Sequence, residues 1–263
     1  MFAIALVILA SCTKAECKIG SDCQAKTCYS SSCESKKCVY SLQSNCCGNG
    51  IKDNIEDGKP GNQCTCPQDY GKCEGKGKVK FGIRTEDAAY VHNYCNANSK
   101  CVLGIERKDI VPQNFLDTID IGFFKASSIE KYNKPFDVNQ DSFEFKVSLD
   151  DASKDLVLPV KLTKIRLLYS SDYSRTEQLI AEKDLDVSLS NIGENAIIYT
   201  PLTLNYKPQE LEENGAVRYE LSYAYTKKVV SGRTAGGGEL YAAETVRATF
   251  TATTKSIFVV RSG

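Results

Sequence analysis

The chain has no tryptophan, a single histidine, a single methionine and no surplus of charge of either sign. Its 33 basic side chains balance 33 acidic ones over 263 residues. Nucleic-acid binding depends on a surplus of Lys and Arg, so we expect no DNA or RNA partner. The one histidine, His92, has no second histidine or free cysteine beside it in sequence. We therefore interpret it as a partly exposed strand residue rather than a catalytic one.

Sequence motifs of common hydrolases and nucleotide-binding enzymes are also missing. The chain contains no G-x-S-x-G, no glycine-rich phosphate loop and no H-E-x-x-H. Carboxylate pairs such as Asp150 and Asp151 exist, but adjacent strand residues point to opposite faces of a sheet. We therefore predict no catalytic residues and a protein that is not an enzyme. A secreted hydrolase that uses two carboxylates is kept as a third alternative.

A membrane-spanning run is missing from the N-terminal segment, although that segment is strongly apolar. The run FAIALVILA at 2–10 rises only about 14 Å as a helix, which is less than half of a bilayer core. Residues 1–11 are therefore expected to be a signal peptide. An ordinary export signal and a lipoprotein signal both remain open, and either one places the mature protein outside the cytoplasm.

The residues Leu9-Ala10-Ser11-Cys12 at the end of this segment resemble a lipobox, the processing site of bacterial-type lipoproteins. The resemblance implies that Cys12 carries a lipid and that this lipid is the only membrane contact of an extracellular, cell-surface protein. It agrees with cysteine parity, because a lipid on Cys12 leaves twelve thiols, which can close six disulfides.

Cysteine is abundant up to position 101 and absent after it, so two regions of different composition are fused. Disulfide-dense segments belong to oxidising compartments. No C-x2-C spacing occurs, which favours structural disulfides over a zinc site. The connectivity stays open at this point. The cysteines expected in disulfides are Cys17, Cys23, Cys28, Cys33, Cys38, Cys46, Cys47, Cys64, Cys66, Cys73, Cys95 and Cys101.

Three regions are predicted after the signal. A disulfide-rich module covers 12–78, and a short hairpin clasped by Cys95 and Cys101 covers 79–104. A β-sandwich covers 105–263.

The stretch 46–73 contains Cys47-Gly48-Asn49-Gly50 and, further on, Cys66-Pro67. It resembles a cysteine-rich repeat common in archaeal and some bacterial envelope proteins. Lys52 and Tyr70 stand where that repeat usually has cysteine. The simplest explanation is that both halves of one bridge have been lost.

Acidic side chains cluster in the same stretch and suggest a calcium site. Carboxylate and amide oxygens close together on a turn-rich loop can bind hard cations. The alternative, which we favour, is that they cap turns by accepting local backbone N–H groups. Calcium is the only cofactor considered. The candidate ligands are Asn49, Asp53, Glu56, Asp57 and Asp69.

The cysteine-free region has apolar residues at every second position, which is typical of strands with one buried face. In SFEFKVSL the apolar set is Phe143, Phe145, Val147 and Leu149. After Leu162 the apolar set changes parity, which predicts a bulge near Thr163-Lys164. Seven such strands, with another around Ile119, Ile121 and Phe123, predict a mainly β fold: an immunoglobulin-like antiparallel β-sandwich.

Turns are predicted between these strands at Asn214-Gly215 and at Ser231–Gly238. The stripe of Tyr219, Tyr223 and Tyr225 alternates in phase with aliphatic residues, so we assign it to the core rather than to a binding face. Arg233 lies in the glycine-rich 231–238 loop, whose base also carries Lys227 and Lys228. This loop is the candidate binding loop, and an inert hairpin loop is an equal alternative.

The sequence therefore favours a non-enzymatic, lipid-anchored surface protein that presents a β-sandwich on a disulfide-stapled stalk for binding or adhesion. Its expected partner is a surface protein or a glycan. The alternative is a structural subunit of an extracellular filament or surface layer, which self-associates by pairing of edge strands.

Overall fold

The computed structural model describes residues 14–201 and 206–261, and it is mainly β as expected. The predicted signal peptide, Cys12, Leu202 and Leu204 lie outside the described residues. Among the described residues, helical structure consists of one short helix, α1 (Pro67–Tyr70), and 3-10 turns at Gly20–Asp22 and Arg107–Asp109. The strands are β1 (Tyr29–Glu34), β2 (Lys37–Leu42), β3 (Ile55–Glu56), β4 (Lys59–Pro60), β5 (Lys76–Phe81), β6 (Arg84–Cys95), β7 (Cys101–Gly104), β8 (Val111–Asp120), β9 (Phe124–Lys134), β10 (Phe136–Asp137), β11 (Ser142–Ala152), β12 (Leu156–Ser171), β13 (Gln178–Leu189), β14 (Asn195–Pro201), β15 (Glu212–Arg233), β16 (Glu239–Thr251) and β17 (Lys255–Val260).

The described residues form two compact units. The first, which we call the disulfide unit, contains 14–74 and Tyr94–Val102. The second, the sandwich unit, contains Gly75–Asn93 and 103–261. The stretch 79–104, expected to be a separate hairpin, is thus shared between the two units.

Six disulfides hold the disulfide unit, and they use all twelve of the expected cysteines. Their Cα atoms lie 5.4 to 5.9 Å apart, as disulfide geometry requires. The prediction of six bridges is confirmed. The pairs are Cys17–Cys33, Cys23–Cys38, Cys28–Cys46, Cys47–Cys66, Cys64–Cys95 and Cys73–Cys101.

The hairpin of β6 and β7 exists, but the expected clasp between Cys95 and Cys101 is wrong. Cys95 bonds Cys64, and Cys101 bonds Cys73. The partners come from the preceding loop, so these two bridges tie the hairpin end to that loop instead of closing it on itself.

The sandwich consists of a four-stranded sheet and a six-stranded sheet. The first has the order β14-β11-β9-β8, and the second has the order β10-β17-β15-β12-β13 with β16 also paired to β15. The pairs are antiparallel except for β10 and β17, which run parallel. Register shifts between Leu162 and Lys164 in both β12 pairings confirm the predicted bulge.

The core between the two sheets is rich in aromatic rings. Phe145 of β11 packs on Tyr219 of β15, with ring centroids 4.8 Å apart. Tyr219, Tyr223 and Tyr225 are all buried, so their assignment to the core is confirmed. The predicted inward face of β11 is also fully buried.

Some expectations about the strands of the sandwich fail. The strand expected around Ile119, Ile121 and Phe123 is interrupted, because β8 ends at Asp120 and β9 begins at Phe124. Asn214-Gly215 is not a turn, because both residues lie inside the 22-residue strand β15. A Cβ on Gly215 would lie 2.5 Å from Cε2 of Tyr169 and 2.6 Å from the carbonyl oxygen of Ser170. The glycine therefore allows close approach of two strands. In the four-stranded sheet, β9 was not predicted at all, because its buried face includes Ser128 and Glu130.

The second half of β15 continues beyond the part that pairs with β12. There it pairs only with β16, and both strands become exposed. We call residues 228–244 the β15–β16 arm. A five-residue turn, 234–238, closes it, with hydrogen bonds joining Thr234 to Gly237 and Gly238.

A buried carboxylate at the start of β15 holds β6 within the sandwich unit. Glu212 accepts hydrogen bonds from the backbone N–H groups of Ala89, Tyr90 and Val91 at 2.8 to 3.2 Å. A carboxylate compensates for desolvation by accepting several N–H groups in this way. Among the described residues, no helix has the length and apolar character needed to cross a bilayer.

Candidate functional site

Three charged side chains meet in the core of the sandwich, in a cluster that we call the buried triad. Lys255 begins β17, Asp117 lies in β8 and Glu130 lies in β9. The ammonium Nζ of Lys255 is 2.5 Å from Oδ2 of Asp117 and 3.1 Å from Oε2 of Glu130. The three side chains are 7%, 6% and 0% exposed. Charged residues are rarely buried so completely unless they are paired.

Strand periodicity places each member of the triad in the core. Asp117 shares a strand face with buried Ile119, and Lys255 shares one with buried Ile257. Glu130 is in phase with Tyr132. Since strand side chains alternate between faces, residues two apart share an environment whatever their polarity.

Aromatic rings surround the triad. The ammonium of Lys255 lies 5.7 Å from the ring centroid of Phe115 and 5.4 Å from that of Tyr219. Thr253 donates a hydrogen bond to Oδ1 of Asp117 at 3.1 Å. This environment excludes water and strengthens every charge interaction within it.

Burial raises the pKa of Glu130 to about 7, with the charge of Lys255 opposing the rise. Near neutral pH, the Glu130 carboxyl can therefore hold or release a proton. Neither of its oxygens receives a hydrogen bond of good geometry, although one lies against the ammonium. The triad thus combines the amino group of Lys255, the carboxyl group of Asp117 in contact with it, and the carboxyl group of Glu130, which titrates near neutral pH.

A second cluster brings His92 between Glu106 and Asp109. Its Nε2 lies 3.6 Å from a carboxylate oxygen of each, and its Nδ1 lies 3.0 Å from the carbonyl oxygen of Tyr90. Their three ligand atoms lie within 4.8 Å of one another, so these residues could hold a metal ion. Lys108 contacts the same Glu106 oxygen at 2.7 Å and would compete with a cation.

The predicted acidic loop uses its carboxylates to bind backbone. Asp69 accepts hydrogen bonds from the N–H groups of Gly48 and Gly50 at 2.6 and 2.8 Å. Both glycines have positive φ, at 104° and 81°, which is a conformation that side chains disfavour. The Gly-Asn-Gly turn therefore needs its glycines and presents two donors to one carboxylate.

The other candidate calcium ligands behave similarly. Asp53 accepts bonds from the Asn45 N–H and the Asn49 amide at 2.7 and 3.2 Å, and Glu56 accepts one from the Asp53 N–H at 3.0 Å. Asp57 receives a longer bond at 3.4 Å. Within the described part of the chain, no three of the four carboxylates lie within 4.8 Å of one another. Calcium binding stays a prediction.

The two positions that depart from the cysteine-rich repeat lie near each other. The ammonium of Lys52 is 5.9 Å from the ring centroid of Tyr70. The Tyr70 hydroxyl donates a 2.5 Å hydrogen bond to the carbonyl oxygen of Asp53. Desolvation, followed by the charges of nearby carboxylates, raises the pKa of Tyr70.

Arg233 ends β15 and faces Glu239 as its cross-strand partner. At the base of the arm, Lys227 pairs with Glu244 at 3.5 Å. Two of the three positive residues expected to mark this loop, Arg233 and Lys227, therefore have an acidic residue opposite them, whereas Lys228 lies opposite Ala243. The other distinctive surface of the arm consists of aromatic and aliphatic side chains.

Comparison with known proteins gives no relative to guide the assignment: no protein-family model matches the chain, and no curated protein matches it. The candidate sites therefore depend on geometry alone.

Sequence reasoning missed the buried triad, although a signal was present. Asp117 lies between Phe115 and Ile119 in an apolar alternation, and Lys255 precedes Ile257 in another. A charged residue in phase with a buried face is the sign that could have been noticed. The pairing itself depends on contacts 138 residues apart in sequence.

Proposed function

We propose that the chain is a non-enzymatic cell-surface protein, anchored by a lipid on Cys12, that presents its sandwich for binding or adhesion. Twelve cysteines in six bridges support an oxidising, extracellular location. The disulfide unit serves as the stalk. The resemblance of 46–73 to repeats of prokaryotic envelope proteins supports the same location.

The observation that carries the binding role is the exposed β15–β16 arm. Val230 and Tyr241 lie opposite each other and are 55% and 57% exposed, and Leu240 is 48% exposed. Aromatic residues and arginine are enriched in binding surfaces, because they supply a large contact area at low entropic cost. With Arg233 at the tip, the arm suits a surface protein or a glycan as its partner.

Replacing the arm's apolar side chains tests the binding role. Beads coated with the purified chain should adhere to cells of the source species, and V230S/Y241S should reduce adhesion at least tenfold. The matched control is I197S/Y199S, which removes an equally exposed pair from β14 and should leave adhesion unchanged. Equal adhesion by both double variants would contradict the assignment to the arm.

The anchor is tested separately by Cys12→Ala. The wild-type chain should partition into the detergent phase after cell lysis, and the variant should move to the aqueous phase. A variant that stays with the detergent phase would rule out Cys12 as the sole membrane contact.

Strand β8 favours the structural-subunit alternative. Its ten residues pair with β9 on one edge, and in the described part of the chain no strand pairs with the other edge. Leu116 on this strand is 67% exposed. An open edge can accept a strand from another copy. Negative-stain images at rising concentration should show filaments under this alternative, and Leu116→Lys should suppress them.

The hydrolase alternative needs accessible carboxylates. A cavity of about 410 Å³ in the sandwich unit is lined in part by Asp87, Asp172 and Glu212. Lys78 pairs with Asp87, Asn214 bonds Asp172, and backbone N–H groups occupy Glu212. These contacts give each carboxylate a structural role.

A further inference from the structure

The buried triad connects the beginning of the sandwich to its end. Asp117 lies in β8, an edge strand of the four-stranded sheet, and Lys255 lies in β17, the last strand of the chain, in the other sheet. Glu130 reaches the same ammonium from β9. One amine and two carboxyls thus meet across the interface between the two sheets.

Burying an ion pair in the core of the sandwich carries a large cost in desolvation free energy. Removing an ammonium and a carboxylate from water costs several kcal/mol each, and their attraction often fails to compensate. Two carboxylates facing one ammonium would also leave a net negative charge in an aromatic core. A reaction that removes the paired charges would relieve this cost.

We propose that Lys255 and Asp117 react to form an amide bond between their side chains, with Glu130 as the acid–base catalyst. The bond would be an autocatalytic cross-link within the sandwich. It is independent of the binding role proposed above.

The reaction balances without any co-reactant. The ammonium of Lys255 first passes a proton to the Asp117 carboxylate, which leaves a neutral amine and a carboxylic acid. The nitrogen lone pair then attacks Cγ of Asp117. Glu130 takes a proton from the nitrogen and delivers it to the departing oxygen. One C–N bond forms, one C–O bond breaks, and one water molecule is released.

Contact distances favour the reaction. Nζ of Lys255 touches Oδ2 of Asp117 at 2.5 Å, so it lies beside the carbon that it must attack. Holding reactants in contact can raise their effective concentration to about 10⁵ to 10⁸ M. The fold supplies this proximity through strands that stay paired.

The environment of Glu130 suits proton transfer. Its Oε2 lies 3.1 Å from the reacting nitrogen, and burial raises the pKa of Glu130 to about 7. A group that titrates near the working pH is the most effective general acid and base. The aromatic rings of Phe115 and Tyr219 keep water away from the amine.

The amide would enclose most of the sandwich. Its ends are 138 residues apart in sequence, whereas the six disulfides join residues 15 to 31 apart. In the chain-entropy account, a longer closed loop restricts the unfolded state more. Such a bond would constrain the sandwich unit covalently, as the disulfides constrain the disulfide unit.

Intact mass tests the proposal on the wild-type chain. The purified folded protein is denatured, its disulfides are fully reduced, and its mass is compared with the full sequence mass, which here means the mass calculated for the mature chain after the processing proposed at Cys12. We expect a deficit of one water molecule, and fragmentation should give a branched peptide joining Lys255 to Asp117. A folded chain with the full sequence mass overturns the proposal.

Variants assign the roles. D117N should lose one ammonia instead of one water, because the amide nitrogen then departs. K255R keeps the charge without a nucleophilic amine and should show the full mass, as should E130Q. The control K131R alters an exposed ion pair with Glu144 and should keep the one-water deficit. A water deficit in K255R overturns the linkage, and a deficit in folded E130Q overturns the role of Glu130.

Discussion

The two units of this chain bury different kinds of residue in their interiors. In the disulfide unit the buried residues are Cys17, Cys23, Cys28, Cys66 and Glu56, whereas larger apolar residues such as Ile19 and Ile55 are exposed. In the sandwich unit the interior consists of aromatic and aliphatic side chains from two sheets. The difference shows that cross-links and burial are alternative ways to offset the entropy of ordering a chain.

Reduction of the disulfides should show the largest difference between the two units. Each disulfide typically contributes about 2 to 4 kcal/mol, so loss of six bridges exceeds the stability of a small domain. In dithiothreitol, amide NMR signals from 14–74 should collapse to unfolded positions, and signals from 103–261 should keep their dispersion. Loss of dispersion in both groups would show that the sandwich unit also depends on the bridges.

Truncation of one leucine in each unit should change the free energy of unfolding by very different amounts. Leu149 is 0% exposed and Leu42 is 44% exposed. Leu149→Ala should lower the free energy of unfolding by about 2 to 5 kcal/mol, because it removes buried methyl groups and leaves a cavity. Leu42→Ala should change it by less than about 0.5 kcal/mol. Urea unfolding measures both, and equal costs would contradict the difference in interiors.

The sequence predicted the sandwich unit well where its strands alternate cleanly. Phe143 to Leu149 and the tyrosine stripe were placed correctly because every inward residue is apolar. Strand β9 escaped prediction because Ser128 and Glu130 interrupt its apolar face. Glu130 can lie inside because Lys255 compensates for its charge from a strand far away in sequence. Local pattern carries no information about such a partner.

In the disulfide unit the sequence predicted the number of bridges but not their pairing. Parity and spacing are properties of the sequence, whereas pairing depends on which cysteines the turns bring within bonding distance. Cys95 and Cys101 illustrate the point, because both bond to the loop that contains Cys64 and Cys73. The Asn214-Gly215 pair shows that a local signal can also mislead. The pair is typical of a turn, but the glycine is needed for close packing of two strands.

The buried carboxyl of the sandwich unit should give it a pH dependence that Glu130→Gln removes. The pKa of Glu130 is raised from 4.5 to about 7, so the folded state binds the proton more tightly than the unfolded state. The contribution of Glu130 is therefore most favourable below pH 4.5 and declines as pH rises to about 7.

Loss of the proposed amide adds an offset that does not vary with pH, so the stability of E130Q relative to wild type should rise over this pH range by a total of about 3 kcal/mol. Urea midpoints at several pH values measure the difference. The control is Glu144→Gln, since Lys131 holds the pKa of Glu144 low, and this variant should not gain stability as pH rises. A constant difference between E130Q and wild type would contradict the raised pKa.

A smaller effect on stability is expected from one methyl group added at Gly215, where β15 approaches β12 closely. Gly215→Ala places a Cβ against the Tyr169 ring and the Ser170 carbonyl, so it should lower the free energy of unfolding by about 1 to 3 kcal/mol. Gly232→Ala in the same strand is the matched control. Its Cβ would meet only Leu240, at 3.8 Å, and the change should be neutral or slightly stabilising. Thermal unfolding compares the two.

Calcium should have the smallest effect, and it bears on the disulfide unit. Asp53, Asp57 and Asp69 already accept backbone N–H groups, so millimolar calcium should leave the midpoint of reductive unfolding unchanged. Asp69→Asn should lower that midpoint without calcium, because the amide can accept only one of the two glycine N–H groups and presents its own donor to the other. A ligand that binds only the folded state raises stability in proportion to the logarithm of its concentration. If calcium raises the wild-type midpoint in this way and D69N abolishes the rise, the loop is a cation site and its carboxylates do more than cap turns.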